Sequence, residues 1–177
     1  MTKTCKQCGD EFEPFRPMQT VCGPLCASRW VRSEKKKERA NVKARKEAAK
    51  PRSKWLAECQ QVINKYVRLR DREMPCCSCD RPASWGGQWH ASHYRSVGAA
   101  SSIRFNLWNI HKGCSICNNH LSGNIAEYSP RIRARIGDEK VDWLCMQNKV
   151  TQYDIGYLER LKNVMSRKLK RLEKRLQ

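Results

Sequence analysis

The chain has 177 residues, 36 Lys and Arg against 17 Asp and Glu, a formal net charge of +19, and 40% hydrophobic residues. That is apolar material for one modest core or two small ones, which excludes a large multidomain enzyme. No apolar run approaches the roughly 18 residues of a membrane span, and the first residues carry no signal-peptide pattern. The expected setting is therefore the cytoplasm, and the expected partner of so basic a chain is nucleic acid rather than a membrane.

Eleven cysteines without a secretion signal point to metal rather than to disulfides. Residues 1–27, broken by Pro14, Pro17 and Pro24, show no helical apolar period that could bury a core. They carry Cys5, Cys8, Cys22 and Cys26 as C-x2-C-x13-C-x3-C, a spacing that suits a tetrahedral four-cysteine zinc finger whose last pair opens a helix. So small a segment needs such a staple. Whether the finger touches phosphates through Arg16, Arg29 and Arg32 or only folds the N-terminus stays open.

Residues 28–52 read as a solvated basic linker helix. Eleven Lys or Arg stand between Arg29 and Arg52 against three Glu, and Pro51 ends the run. Lys35, Lys36, Lys37, Arg39, Lys43, Arg45 and Lys46 are its candidate DNA-backbone contacts. Residues 53–128 begin with a second helix, with Ser53 as its N-cap and Trp55, Leu56, Cys59, Val62, Ile63, Tyr66 and Val67 at helical spacing. Residues 74–128 then form a strand-and-turn unit built around metal. There Cys76 and Cys79, with Cys114 and Cys117 beyond a gap of 34 residues, make a second four-cysteine zinc site; Cys77 is a spare thiol able to substitute for Cys76.

Residues 129–177 return to helix. Leu158, Leu161, Met165, Leu169, Leu172 and Leu176 follow spacings of 3, 4, 4, 3 and 4, the period of a straight α-helix. That stripe either packs on the chain's own helices or forms a homodimer seam. The whole is an α+β chain: zinc finger, long basic helix, zinc-stapled core and C-terminal helices.

The second zinc site fixes three polar groups: His93, Asn109 five residues before Cys114, and Asn118 directly after Cys117. On their own they read equally as polar residues satisfying backbone groups. Together they resemble the ββα-metal (HNH) nucleases, whose zinc-containing members carry a His on a first strand, an Asn before a C-x2-C pair, and a His or Asn after it. That resemblance implies phosphodiester hydrolysis. His93 is then the general base, since a neutral imidazole takes a proton from water near pH 7. Asn109 orients His93 or its loop, and Asn118 is a ligand of a catalytic Mg²⁺ or Mn²⁺. Arg95, Arg104 and Lys112 lie near this site as phosphate contacts. Trp108, beside Asn109, either packs in the core or stacks on an unpaired base.

The run His93-Tyr94-Arg95, then Arg104-Phe105-Asn106, Asn109-Ile110-His111-Lys112, Cys117-Asn118 and Ser122-Gly123-Asn124 resembles the lambdoid phage NinG family, also called Rap. Lys50-Pro51-Arg52-Ser53, Gln60-Gln61, Arg70-Asp71-Arg72, Arg135-Ile136-Gly137, Val141-Asp142 and the first cysteine set extend the likeness over most of the chain. The resemblance implies a phage-encoded, divalent-metal-dependent recombination endonuclease for branched DNA, such as Holliday junctions and D-loops. Two positions depart from the family pattern: His90 stands where an Asp is expected, and Ser92 where a Gly is expected directly before the base. His90 remains a candidate ligand but favours Mn²⁺, Co²⁺ or Ni²⁺ over Mg²⁺. His111 is then the candidate substitute ligand or phosphate contact, and His120 a polar helix residue. The alternatives are a non-catalytic zinc-stapled nucleic-acid binder and a general HNH nuclease without branch preference.

Overall fold

The structure, a computed structural model, describes residues 1–177. Its contacts divide the chain into two units, Met1–Lys50 and Pro51–Gln177. In the first, strands β1 (Lys3–Thr4) and β2 (Glu11–Phe12) pair antiparallel, with Lys3 opposite Phe12 and Thr4 opposite Glu11. The turn between them closes through Gly9, whose φ of +84° is the left-handed conformation glycine adopts without penalty. Helix α1 (Pro24–Ala48) starts earlier than the expected residue 28, because Pro24 at its first turn has no N–H to satisfy. Cys26 thereby falls in its first turn. No residue of α1 is buried, in keeping with its few large apolar side chains, of which Leu25, Val31 and Val42 are exposed.

The second unit opens with α2 (Arg52–Arg70), whose N-cap is Pro51 with no side-chain cap, not Ser53. Pro51 holds an extended backbone and its carbonyl accepts from Lys54, so the helix starts without a hydroxyl cap. Trp55, Cys59, Ile63 and Val67 are four residues apart and are the buried face of α2. They meet Leu158 and Met165 of α5 (Ile155–Arg175) and Phe105 and Ile110 of the middle segment. Leu158, Met165 and Leu169 of the C-terminal stripe are thus buried within the chain, while Leu161, Leu172 and Leu176 are half-buried. Asp154 caps α5, its carboxylate accepting from the Tyr157 N–H at 2.7 Å.

Strands β3 (Trp89–His93) and β4 (Ile110–Cys114) form an antiparallel pair running from Trp89 opposite Cys114 to His93 opposite Ile110. A 3₁₀ turn at Ser101–Ile103 lies in their connection, and a π-type helical turn at Ile116–His120 follows β4 directly. Helices α3 (Ile125–Ile136) and α4 (Asp138–Met146) bury Tyr128, Ile132, Val141 and Leu144 with Tyr94, Ala100 and Ile103 in a second apolar cluster. Trp108 is not core: it is 44% exposed, in the turn ahead of β4.

A buried ion pair locks α2 to the hairpin. Asp71, 1% exposed, is paired with Arg70 and Arg135 and accepts from the Lys112 backbone N–H at 3.1 Å. Arg70 also donates to the carbonyls of Leu107 and Ile110. Burial raises the Asp71 pKa, yet its arginine partners outweigh that and hold it below the usual carboxylate range. Arg70, Asp71 and Arg135, which carry part of the family likeness, are therefore structural.

Candidate active site

Both cysteine sets converge. The thiols of Cys5, Cys8, Cys22 and Cys26, and those of Cys76, Cys79, Cys114 and Cys117, each lie within 4.8 Å of one another. A tetrahedron with zinc–sulfur bonds of about 2.3 Å has edges of about 3.8 Å. Cys8 and Cys22 are 3.7 Å apart, and Cys79 and Cys114 are 3.8 Å apart. Backbone N–H groups also point at the sulfurs, from Cys22 to Cys5, from Cys114 to Cys76 and from Cys117 to Cys114. Donor set and spacing are those of two structural zinc sites. Cys77 stands outside the second set, buried in the Tyr128 cluster.

The second set ties the start of the hairpin to its end, and so fixes the polar groups of β3. Successive strand residues face opposite sides, so His90 and Ser92 share one face while Ala91 and His93 share the other. On the first face the Asn118 amide bridges both neighbours: Ser92 Oγ donates to its Oδ1 at 2.9 Å, and its Nδ2 lies 3.2 Å from His90 Nδ1. Gly113, opposite His90, permits this, since a Cβ there would stand 2.3 Å from Ser92 Oγ. Two of the three expected ligands of the divalent ion, His90 and Asn118, are thus brought together.

The third is not. His111 is 2% exposed, its Nδ1 bonded to the Tyr128 hydroxyl at 2.9 Å. Burial, with the charges of Arg135 and Arg70, pushes its pKa down to about 3. An enclosed neutral imidazole held by a tyrosine has no access to a phosphate, so His111 is a core residue. Lys112 differs from expectation in the same way. It is 2% exposed, lies over the Trp89 ring at 4.2 Å and donates to the Arg72 carbonyl, which removes it from the DNA contacts. Both stand in β4, every residue of which is buried.

His93 closes β3. Its Nε2 lies 2.9 Å from the Arg104 carbonyl oxygen, which can only accept, so Nε2 carries the proton and Nδ1 keeps its lone pair. Burial lowers its pKa; the hydrogen bond to that carbonyl opposes this in part, and the Arg104 charge lowers it further. If His93 is the base that the sequence leads one to expect and must be neutral to act, the rate of its reaction stays level through pH 7 and falls only as pH drops below the ordinary histidine value of about 6.5. A single-turnover pH–rate profile measures this; an acid limb centred above that value contradicts it.

Asn109 is fully buried and fixes the backbone beyond His93. Its Oδ1 accepts from the Arg95 N–H at 2.8 Å, its Nδ2 donates to the Arg95 carbonyl at 3.0 Å, and its own carbonyl accepts from Tyr94 N–H at 2.8 Å. Arg104 is half-buried, donating to Gln60 Oε1 at 3.1 Å, and Gln60 in turn donates to Asn64 at 2.7 Å. Arg95 donates to the Gln147 carbonyl.

A polar cleft lies along the outer edge of β3, lined by Asn64, Arg68, Gln88, Trp89, His90, Ala91 and Asn118. Asn64 and Arg68 of that lining were missed by reading the sequence, and Gln60, part of the family likeness, donates to Asn64 one turn earlier. Their signal was a polar stripe at i, i+4 and i+8 directly beside the buried stripe of α2. On α1, Lys35, Lys36, Lys37, Arg39, Lys43, Arg45 and Lys46 are all exposed; Lys37 pairs with Glu34.

Fold and site together define a mixed α/β protein with two four-cysteine clusters and a polar cleft beside the second. The model of the family described as Bacteriophage Lambda NinG protein matches residues 1–175, and the chain belongs to that family. It is 36% identical over 191 residues to Protein ninG of Escherichia phage lambda, covering 96% of this chain and 93% of that protein. Its identity to the ninG proteins of Enterobacteria phage H19B and Salmonella phage P22 is 35%, with the same coverage. No solved structure matches the chain. No helix is long and apolar enough to cross a membrane.

Proposed function

We propose that this chain nicks branched DNA at β3, with His93 as the general base beyond the end of the cleft that His90 and Asn118 line. Its activity class, an endonuclease of branched recombination intermediates, is that of the NinG family to which it belongs. The observation that carries the residue assignment is the tautomer of His93: the Arg104 carbonyl holds Nε2–H, and Nδ1 is left to accept a proton from water. Asn109 keeps the loop beyond His93 in register. A hairpin followed at once by a helical turn, with Cys114 and Cys117 at the join and Asn118 next, supports a ββα-metal core.

His90 and Asn118 supply one imidazole and one amide, with no carboxylate beside them in the cleft lining. This partial donor set fits a divalent ion that keeps several waters or phosphate oxygens, and fits Mn²⁺ better than Mg²⁺. When bound, such an ion supplies charge neutralisation at the phosphate and at the leaving 3′ oxygen. Arg68 on α2 adds a cation at the cleft.

The test is cleavage of labelled four-way junction, D-loop and linear duplex with no added ion, Mg²⁺ or Mn²⁺. Nicking of the branched substrates, with Mn²⁺ at least as effective as Mg²⁺, is expected. Cutting all three substrates alike points to a general HNH nuclease, and tight binding with no cutting under any ion to a non-catalytic binder.

The α1 cations serve the same reading. With about six phosphates neutralised, log affinity for DNA falls against log salt with a slope of roughly −5. A salt titration by fluorescence anisotropy checks it, and a near-flat response excludes backbone tracking.

A further inference from the structure

Trp108 and Trp143 are the unusual tryptophans of this chain. They are 44% and 40% exposed, while Trp55 is buried at 6%. Their rings meet edge to face, centroids 5.9 Å apart and planes at 88°, and Lys140 Nζ lies 5.5 Å from the Trp108 ring. Large apolar rings left together at a surface mark an interaction site. We propose that this pair is a stacking platform for an unpaired nucleobase at a DNA branch, an inference that rests on the branched-DNA reading above.

Three observations argue for a base rather than a protein partner. The first is charge. Lys140 sits over Trp108, and the Arg95 guanidinium donates to the Gln147 carbonyl just past α4. Asp138 and Asp142 on the same helix share one partner, Arg133, at 3.0 and 2.7 Å, which offsets one of their two charges, and Glu139 adds a third carboxylate to the helix. At the Trp108 ring itself the charge is the Lys140 ammonium, and a cation beside aromatic faces is the combination that holds unpaired nucleotides.

The second is rigidity. Trp108 N–H donates to Asn106 Oδ1 at 2.8 Å, and the Trp143 carbonyl accepts from Gln147 Nε2 at 3.1 Å. Both indoles stand on fixed backbone, so little ordering is needed on binding.

The third is position. Trp108 precedes Asn109, whose carbonyl accepts from Tyr94 N–H, and Tyr94 follows His93. With about 3.8 Å between consecutive Cα atoms, the platform is fastened within a few residues of the proposed base. A base inside continuous duplex offers no free face, whereas a branch point does. The platform would thus favour branched DNA without reading sequence.

The test is binding, without added Mg²⁺ or Mn²⁺, to a four-way junction carrying 2-aminopurine at the branch and to linear duplex of the same sequence. The unaltered chain should bind the junction more tightly and change the 2-aminopurine fluorescence. Trp108→Ala should lose that fluorescence change and between about 5-fold and 100-fold of junction affinity, with duplex affinity kept. Trp108→Phe should restore most of both, and Trp143→Ala should fall between. Junction binding and fluorescence unchanged in Trp108→Ala overturn the platform, as does an equal loss on junction and duplex in both alanine variants. An unaltered chain that binds junction and duplex alike overturns the branched-DNA reading itself, and the platform with it.

Discussion

His93→Gln is expected to lower the single-turnover rate of junction nicking by about 10²- to 10⁴-fold, the usual contribution of a positioned general base. Glutamine is the sharper variant because its amide N–H can still donate to the Arg104 carbonyl, which His93 Nε2 now satisfies at 2.9 Å. Alanine would leave that carbonyl without its partner, at a cost of about 1–3 kcal/mol, and so mix a folding effect with a chemical one. The amide cannot take a proton near neutral pH, so only the chemistry is removed. Junction affinity and zinc content should match the unaltered chain. A variant that nicks at the parental rate removes His93 as the base.

Cys114→Ser is expected to do more, by a different route. Cys114 is fully buried, ends β4 and shares a thiol cluster with Cys76, Cys79 and Cys117. Structural zinc in small domains contributes about 10–16 kcal/mol of binding free energy. A whole domain is stable by only about 5–15 kcal/mol, so a defective second site should unfold the hairpin outright. Bound zinc should fall from two ions per chain to one, with loss of cooperative melting in the Pro51–Gln177 unit and of all nicking. Cys5→Ser should also release one zinc ion but leave that melting transition, because Met1–Lys50 is a separate compact unit. Atomic absorption and circular dichroism on the two variants read this directly. Retention of two zinc ions by Cys114→Ser contradicts it.

The contrast between these residues and the misplaced ones shows what a sequence of this kind carries. Both cysteine sets were legible because tetrahedral thiolate coordination imposes a spacing. The apolar stripes of α2 and α5 were legible because burial imposes a period. His93, Asn109 and Asn118, the proposed site residues, stand out only jointly, through their offsets from the cysteines. Burial of polar side chains was not legible. His111 and Lys112 read as site residues because histidine and lysine are usually exposed, yet the buried Asp71 and the Tyr128 hydroxyl give their strand polar partners inside the core. Those partners lie 41 residues before Lys112 and 17 after His111, so no local pattern exposes them. Trp108 differs in the opposite sense: beside a core strand its indole reads either way, and its 44% exposure shows that it faces out. The Gln60, Asn64 and Arg68 stripe was readable as a period but had no meaning until the edge of β3 was placed beside it.

His90 and Ser92 fit this picture together. Replacing a carboxylate ligand by imidazole changes which ion the site prefers, and a serine before the base is tolerated because Gly113 leaves room for its hydroxyl to reach Asn118. On the proposed reading, the two departures shift the ion preference of the cleft and leave His93 as the proton acceptor.

The most direct measurement is single-turnover nicking of a labelled four-way junction in Mn²⁺ by the unaltered chain and by His93→Gln, with zinc content and junction affinity determined on the same samples. The account predicts nicking by the first and not by the second, with two zinc ions and equal binding in both. Parental nicking by His93→Gln, or an unaltered chain that binds the junction and leaves it intact, would contradict it.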